Sequence, residues 1–309
     1  MSALRYRHWW RGGPSGLYEN DYHAVVLAEQ KPSAAESPSR PPPLQVQGLT
    51  VDLDGHRVVD HVDLALSPGQ RHGVIGASGS GKSITALTLL GLLPPGARVR
   101  GSVRVHGREM LGQPEAQWAQ LRGSTITTVF QDAVSGLNPL VRVERHVSEP
   151  LRGRIGTSRA AARAEVDAVL SRVGFSDPRR VARSRPPELS GGQRQRVAIA
   201  MALACRPDVL IADEPTTSLD VTAQAGILRL LSEVTGGNDG PALLFISHDL
   251  PVLAQLCGDL SVLDRGAIVE RGPVREVLRN PRHPRTAELV DSARALDDGL
   301  PLSDRQEVS

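Results

Sequence analysis

A chain of 309 residues is long enough for about two structural units and a sizeable core, which excludes a peptide or a disulfide-stapled miniature. With 40% hydrophobic and 23% charged residues it falls among globular proteins and outside disordered, collagen-like and integral membrane chains. A net charge of +2, from 36 basic and 34 acidic side chains, is too balanced to imply a nucleic-acid partner through charge alone.

The first segment, residues 1–43, ends in a stretch rich in proline and serine (Pro32, Ser37, Pro38, Ser39, Pro41, Pro42, Pro43) that suits neither helix nor central strand. It reads as a flexible tail, with Trp9, Trp10, Tyr18 and Tyr22 outside the fold and no apolar core of a signal peptide. From Leu44 the pattern turns to short alternating segments, Leu44 to Gln47 and His61 to Leu66, expected as half-buried antiparallel strands. Arg71 to Ile75 reads as a strand entering a glycine-rich turn. An apolar helix is expected from Ile84 to Leu93, stopping at Pro94-Pro95-Gly96. That run is the longest apolar one and about half the length needed to cross a bilayer.

Arg159 to Val173 and Gln193 to Cys205 carry apolar residues at helical spacing, the first within a mostly helical insert. Val209 to Ala212 and Ala242 to Ile246 are short apolar runs bounded by charge, glycine or proline, as buried parallel strands alternating with helices would be. The expected fold class is α/β. Cys205 and Cys257 stand far apart without a CxxC pair, which argues against a disulfide framework or structural metal and fits a reducing cytoplasm.

Of the 36 basic residues only Lys31 and Lys82 are lysines. A lysine kept against so strong an arginine background suggests a position that needs a compact point charge. Lys82 lies in Gly76-Ala77-Ser78-Gly79-Ser80-Gly81-Lys82-Ser83, which fits G-x-x-x-x-G-K-[ST] between an expected strand and an expected helix opening near Ile84. In such a loop successive backbone N–H groups and the helix N-terminus cradle a phosphate chain, the lysine reaches the β- and γ-phosphates, and the Ser83 hydroxyl binds Mg²⁺.

Asp213 and Glu214 close an apolar strand, and strand alternation would send the two carboxylates in different directions. Asp213 is then expected to serve Mg²⁺, and Glu214 to polarise a water attacking the γ-phosphate. His248 follows another strand and is expected at the same sheet edge. Ser190-Gly191-Gly192-Gln193 opens a helix with a good N-cap and two glycines whose N–H groups lie open, a candidate second phosphate-binding helix end.

Taken in order, the loop Gly76 to Ser83, Phe130-Gln131-Asp132, Leu189 to Gln193, Asp213-Glu214, Ser218-Leu219-Asp220 and His248 resemble the full motif set of ABC ATPases. The resemblance implies a P-loop NTPase (RecA-like) core with an antiparallel β-subdomain and a helical subdomain insert at about 133–187, within an ATPase domain of 44–272 and followed by an extension of 273–309. It further implies ATP and Mg²⁺ as cofactors and head-to-tail pairing with a second ATPase subunit, so that the P-loop of one and the Ser190 helix of the other enclose each ATP. By the same resemblance Gln131 senses the γ-phosphate and metal, His248 contacts the γ-phosphate, Glu214 is the general base and Asp220 bridges the dimer.

A narrower resemblance rests on Gly91 to Gly96, Ser135 to Pro139, Ala212 to Val221, Ile268 to Gly272 and Asn280 to Pro284, and covers Leu44 to about Asp291. It is to the dipeptide, oligopeptide and nickel importer branch. It implies a peripheral ATPase at the cytoplasmic face of the membrane, partnered by permeases and indirectly by an extracytoplasmic solute-binding protein, with no nucleic acid. Exporter ATPases share every one of these motifs except the terminal one, and soluble ABC ATPases that act on nucleic acid are a further alternative. Two departures stand out: Leu53 occupies the position of the adenine-stacking aromatic, and Arg285 stands where that branch usually has tyrosine. The cysteines of an iron–sulfur site are missing near the C-terminus, so no such centre is expected.

Overall fold

The computed structural model describes residues 41–131, 136–152, 159–217, 219–237 and 240–298. The expectations for Trp9, Trp10, Tyr18, Tyr22, Lys31, Asp132, Ser135 and Ser218 lie outside them.

Strands β1 (Leu44–Leu53) and β2 (His56–Leu66) form a hairpin over Asp54-Gly55, both with positive φ, as a two-residue turn matched to strand twist requires. With β4 (Arg98–Val105) and β5 (Arg108–Glu109) they make an antiparallel sheet of order β2-β1-β4-β5. Between them in sequence come β3 (Arg71–Ile75) and helix α1 (Lys82–Leu89). Helix α2 (Glu115–Leu121) then precedes β6 (Ile126–Val129).

Three helices follow, α3 (Val143–Arg152), α4 (Arg159–Arg172) and α5 (Pro178–Arg183), then α6 (Gly191–Ala204). The chain continues through β7 (Val209–Asp213), α7 (Val221–Val234), β8 (Ala242–Ser247) and α8 (Leu250–Leu256). It closes with β9 (Asp259–Asp264), β10 (Ala267–Pro273), α9 (Val274–Arg279) and α10 (Pro284–Asp298). The second sheet has order β10-β9-β3-β8-β7-β6, parallel except for the β9–β10 hairpin.

The inner strands β3, β7, β8 and β9 of that sheet are buried on both faces, and the period of two sorts their side chains between two cores. Leu210, Ala212, Leu243, Phe245, Leu260 and Val262 enter the core beneath the helices α3 to α8. Val209, Ile211, Ala242, Leu244 and Ile246 enter the other, with α1 and the antiparallel sheet. Helices α9 and α10 add Val274, Val277, Leu278, Val290 and Ala293 to the first core.

The helix expected to run to Leu93 stops at Leu89. Gly91 has φ +64 and donates to Thr88 O at 3.0 Å, while Leu92 N donates to Leu87 O at 2.9 Å, which is a Schellman termination. The ring of Trp118 lies against Gly91, so the turn is fixed by tertiary packing that an apolar run does not reveal.

His72 on β3 is buried, with Nε2 at 2.9 Å from Ser261 Oγ. Burial, aided by the Arg271 cation and opposed by Asp259, pulls its pKa down from 6.5 to about 4. As pH falls the unfolded chain therefore takes up this proton first. Stability is expected to decline between pH 6.5 and about 4 and to be fully retained above that window. Urea midpoints measured against pH should show this slope in the wild type and a flatter one in His72→Gln.

Candidate functional site

Register brings the candidate residues to one edge. Ile75 pairs with Ser247, Asp213 with Ile246 and Val129 with Ala212, so β3, β8, β7 and β6 end together. The loop after β3, Glu214 after β7, His248 after β8 and Gln131 after β6 therefore all emerge at the carboxyl edge, where open parallel sheets bind ligands. Gln131 is exposed there.

Gly76 to Gly81 wraps into the start of α1. Gly81, with φ +102, caps the helix, and a Cβ on it would sit 2.5 Å from Val58 O. A Cβ on Gly76 would sit 2.3 Å from Leu263 O and 2.4 Å from Ser80 Oγ. Only glycine fits either place. Ala77 is half-buried and Ser78, Gly79 and Ser83 are exposed, while Ile84 packs partly buried against the second core.

Lys82 is 6% exposed and its Nζ donates to Gly76 O at 2.8 Å and Ala77 O at 2.9 Å. Burial lowers its pKa, while Glu214 and Asp213 pull it back up. The ammonium is thus held within the loop it would share with phosphates. Ser80 Oγ is buried without a hydrogen-bond partner. Buried polar groups are normally paired, so this hydroxyl is a candidate partner for a ligand in the loop.

Asp213 is buried, and desolvation raises its pKa against the hydrogen bond from Ser83 and the charge of Lys82, with Glu214 adding to the rise. Its Oδ1 has no hydrogen-bond partner. A buried carboxylate oxygen left open beside a serine hydroxyl is a donor set that fits a hard divalent cation such as Mg²⁺.

Glu214 departs from the expected geometry. The strand ends at Asp213, and Glu214 has φ +48, so a left-handed backbone step and not strand alternation turns it away from Asp213. Its N–H donates to Ile246 O at 2.9 Å, which fixes the step against β8. One carboxylate oxygen lies 3.2 Å from His248 Nδ1, and the other accepts from Thr217 Oγ1 at 2.9 Å. Thr217 is the partner that sequence reading passes over, although it stands three residues on, within reach of a turn.

The Ser190 helix end is built differently from a bare anion site. Ser190 Oγ accepts from Gln193 N at 3.3 Å and Gln193 Oε1 accepts from Ser190 N at 3.0 Å, a capping box that occupies both side chains. The N–H groups of Gly191 and Gly192 are left for a ligand. Gly192 also lets α6 approach α7 closely, since a Cβ there would be 3.1 Å from that of Ala223. Asp220 caps α7, accepting from Ala223 N at 2.8 Å. Among the described residues no hydrogen bond joins Ser190 to Gln193 with the loop Gly76 to Ser83. Leu53 ends β1 and packs partly buried against the second core.

A parallel sheet with a glycine-rich loop, a buried lysine and paired carboxylates at its carboxyl edge defines a P-loop nucleoside-triphosphate hydrolase. A profile of the ABC transporter family matches residues 59–217. The chain is 43% identical over 280 residues to an ATP-binding protein of Brucella ovis provisionally named for peptide import, covering 87% of this chain and 82% of that one. It is 41% identical over 277 residues to the oligopeptide transport ATP-binding protein OppD of Escherichia coli K12, covering 88% of this chain and 80% of that one. The dimeric post-hydrolysis structure of the ATP-binding cassette MJ0796 bound to ADP and Pi matches with a TM-score of 0.66 at 28% identity, covering 75% of this chain and 99% of that one. The chain belongs to the ABC transporter family, as one of its ATP-binding and ATP-hydrolysing cassettes.

Proposed function

We propose that this chain energises peptide uptake by binding and hydrolysing ATP on behalf of partner permeases. The observation that carries the chemistry is the convergence of Lys82, Ser83, Asp213, Glu214 and His248 at one sheet edge. The solute class is supported by the relatives, which are named for peptide and oligopeptide import. That support favours import over export and peptides over a nickel-like solute. Residues 44–272 would form the ATPase unit, with about 133–187 as the helical part that meets a permease and 273–309 as an extension. Among the described residues no helix is long and apolar enough to cross a membrane. As an ATP-binding subunit like its import relatives, the chain would attach to its permeases peripherally, at the cytoplasmic face.

On ATP binding Lys82 would exchange the carbonyls of Gly76 and Ala77 for the β- and γ-phosphates, while the loop N–H groups and Ser80 Oγ meet the phosphate oxygens. Ser83 and Asp213, with Gln131, would hold Mg²⁺, which supplies neutralisation of phosphate charge. Glu214, oriented by Thr217 and His248, would take the proton of the attacking water. His248 would also face the γ-phosphate. Closure with ATP and reopening after hydrolysis would couple the chemistry to the permease through differential affinity for the two states.

The open Gly191 and Gly192 N–H groups would serve the nucleotide of a second cassette, homologous or identical, with Asp220 at the junction. Ser190→Arg removes the capping box and fills the approach, so it is expected to impair hydrolysis at the partner's nucleotide while sparing ATP binding at this chain's own P-loop. Site-resolved nucleotide binding and ATPase rates in the reconstituted complex test this. Lost affinity at the chain's own loop with full turnover would reverse the assignment. Peptide uptake into proteoliposomes, dependent on internal or external ATP according to orientation, tests the transport reading.

A further inference from the structure

The terminal motif Asn280 to Pro284, with Arg285 after it, has no part in the site described above, yet the fold ties it to that site. Glu270 on β10 turns its carboxylate to the start of α10. It accepts from Arg282 N at 3.0 and 3.2 Å and from His283 N at 3.0 Å. The His283 ring in turn accepts from Arg285 N at 3.2 Å. From the same turn the Arg285 guanidinium reaches Asp264, the last residue of β9, at 3.7 Å, and Glu288 at 2.6 Å. The β9–β10 hairpin is therefore held by hydrogen bonds at Glu270 and faced by a cation at Asp264, both from one helix start.

The tip of that hairpin rests on the P-loop. Gly266 N donates to Ser80 O at 3.0 Å, and Gly266 O accepts from Asp60 N at 2.8 Å. Leu263 O presses on Gly76 closely enough to exclude a Cβ. The hairpin thus touches the loop at its entry, Gly76, and just before its exit, at Ser80. The contact points Asp264 and Glu270 bracket this tip. A shift of α10 would be passed to it through two polar contacts and a short, strongly turned segment, Arg265 with φ +46 and Gly266 with φ +85.

We propose that the start of α10 and the β9–β10 hairpin form a clamp that sets the geometry of the phosphate loop, which makes Glu270 and Arg285 positioning residues for nucleotide binding. The inference rests on the assignment of Gly76 to Ser83 as the nucleotide cradle. Coupling of this kind needs a contiguous set of contacts, and here every link is a named hydrogen bond, ion pair or packing contact. A purely architectural role, seating Val290 and Ala293 in the core, predicts lost stability without a change in nucleotide affinity.

The test is ATP titration of the full chain by calorimetry, alongside urea midpoints, for the wild type, Arg285→Ala, Arg285→Lys, Glu270→Ala and Lys82→Ala. Arg285→Ala and Glu270→Ala are expected to weaken ATP binding roughly threefold to tenfold. Arg285→Lys, which keeps a cation facing Asp264, is expected to stay within about twofold of the wild type. If Glu270→Ala does not fold, the Arg285 pair decides alone. Wild-type affinity in Arg285→Ala, with or without lost stability, overturns the clamp. A wild type that does not bind ATP, or a Lys82→Ala variant that binds it equally well, overturns the cradle assignment and the clamp with it.

Discussion

Glu214→Gln is expected to keep ATP affinity within about twofold of the wild type while turnover falls roughly 10²- to 10⁴-fold, the range that a positioned general base contributes. The substitution is nearly isosteric. It leaves Lys82, Ser80 and the loop N–H groups untouched and keeps an oxygen for Thr217 Oγ1, which donates to Glu214 at 2.9 Å. What it removes is the negative charge that takes a proton from water and pairs with His248 at 3.2 Å. ATP-bound assemblies should therefore accumulate. Parallel ATPase assays and nucleotide-binding titrations on the purified complex check this, and near-normal turnover would remove Glu214 from the role of base.

Lys82→Arg is expected to be almost as damaging despite conserving charge. The Nζ sits 2.8 and 2.9 Å from two backbone carbonyls in a loop that leaves it 6% exposed, and a planar guanidinium is too wide for that place. Loss of well-formed charged hydrogen bonds, about 1.5–3 kcal/mol, corresponds to a roughly ten- to hundredfold fall in ATP affinity. Direct titration with ATP is the measurement. A Lys82→Arg protein that binds like the wild type would show that any compact or forked cation serves, and that the lysine kept in an arginine-rich chain has another cause.

Much of the candidate site is legible in the sequence because each motif combines a local backbone demand with a chemical one. The glycines at 76 and 81 are required by close approach to Leu263 and Val58, and Lys82, the first residue of α1, brings a compact ammonium that fits buried within the loop. The buried strands were legible for a similar reason, since Val209 to Ala212 and Ala242 to Ile246 leave no polar face to expose.

What sequence did not disclose depends on contacts between distant segments. The end of α1 at Leu89 depends on Trp118 lying against Gly91, and the turn of Glu214 depends on a hydrogen bond to Ile246 of a neighbouring strand. The left-handed backbone at Glu214 is one that a glutamate rarely adopts, so no propensity argument would find it. The Ser-x-x-Gln spacing at Ser190 and Gln193 is that of a capping box, and both side chains close it at the same helix end that offers the Gly191 and Gly192 N–H groups. The role of the terminal motif is hidden in the same way, because Glu270 and the turn it holds meet only once β10 has paired with β9.

The most direct test of the central claim is a crystal structure of the Glu214→Gln protein with ATP and Mg²⁺ in complex with its cassette partner. The predicted result has Lys82 Nζ released from the carbonyls of Gly76 and Ala77 and bonded to the β- and γ-phosphates, the cation on Ser83 and Asp213, and the Gly191 and Gly192 N–H groups of one cassette on the γ-phosphate held by the other. A nucleotide bound away from the carboxyl edge of the parallel sheet, or Lys82 still bonded to its own loop with ATP present, would contradict it.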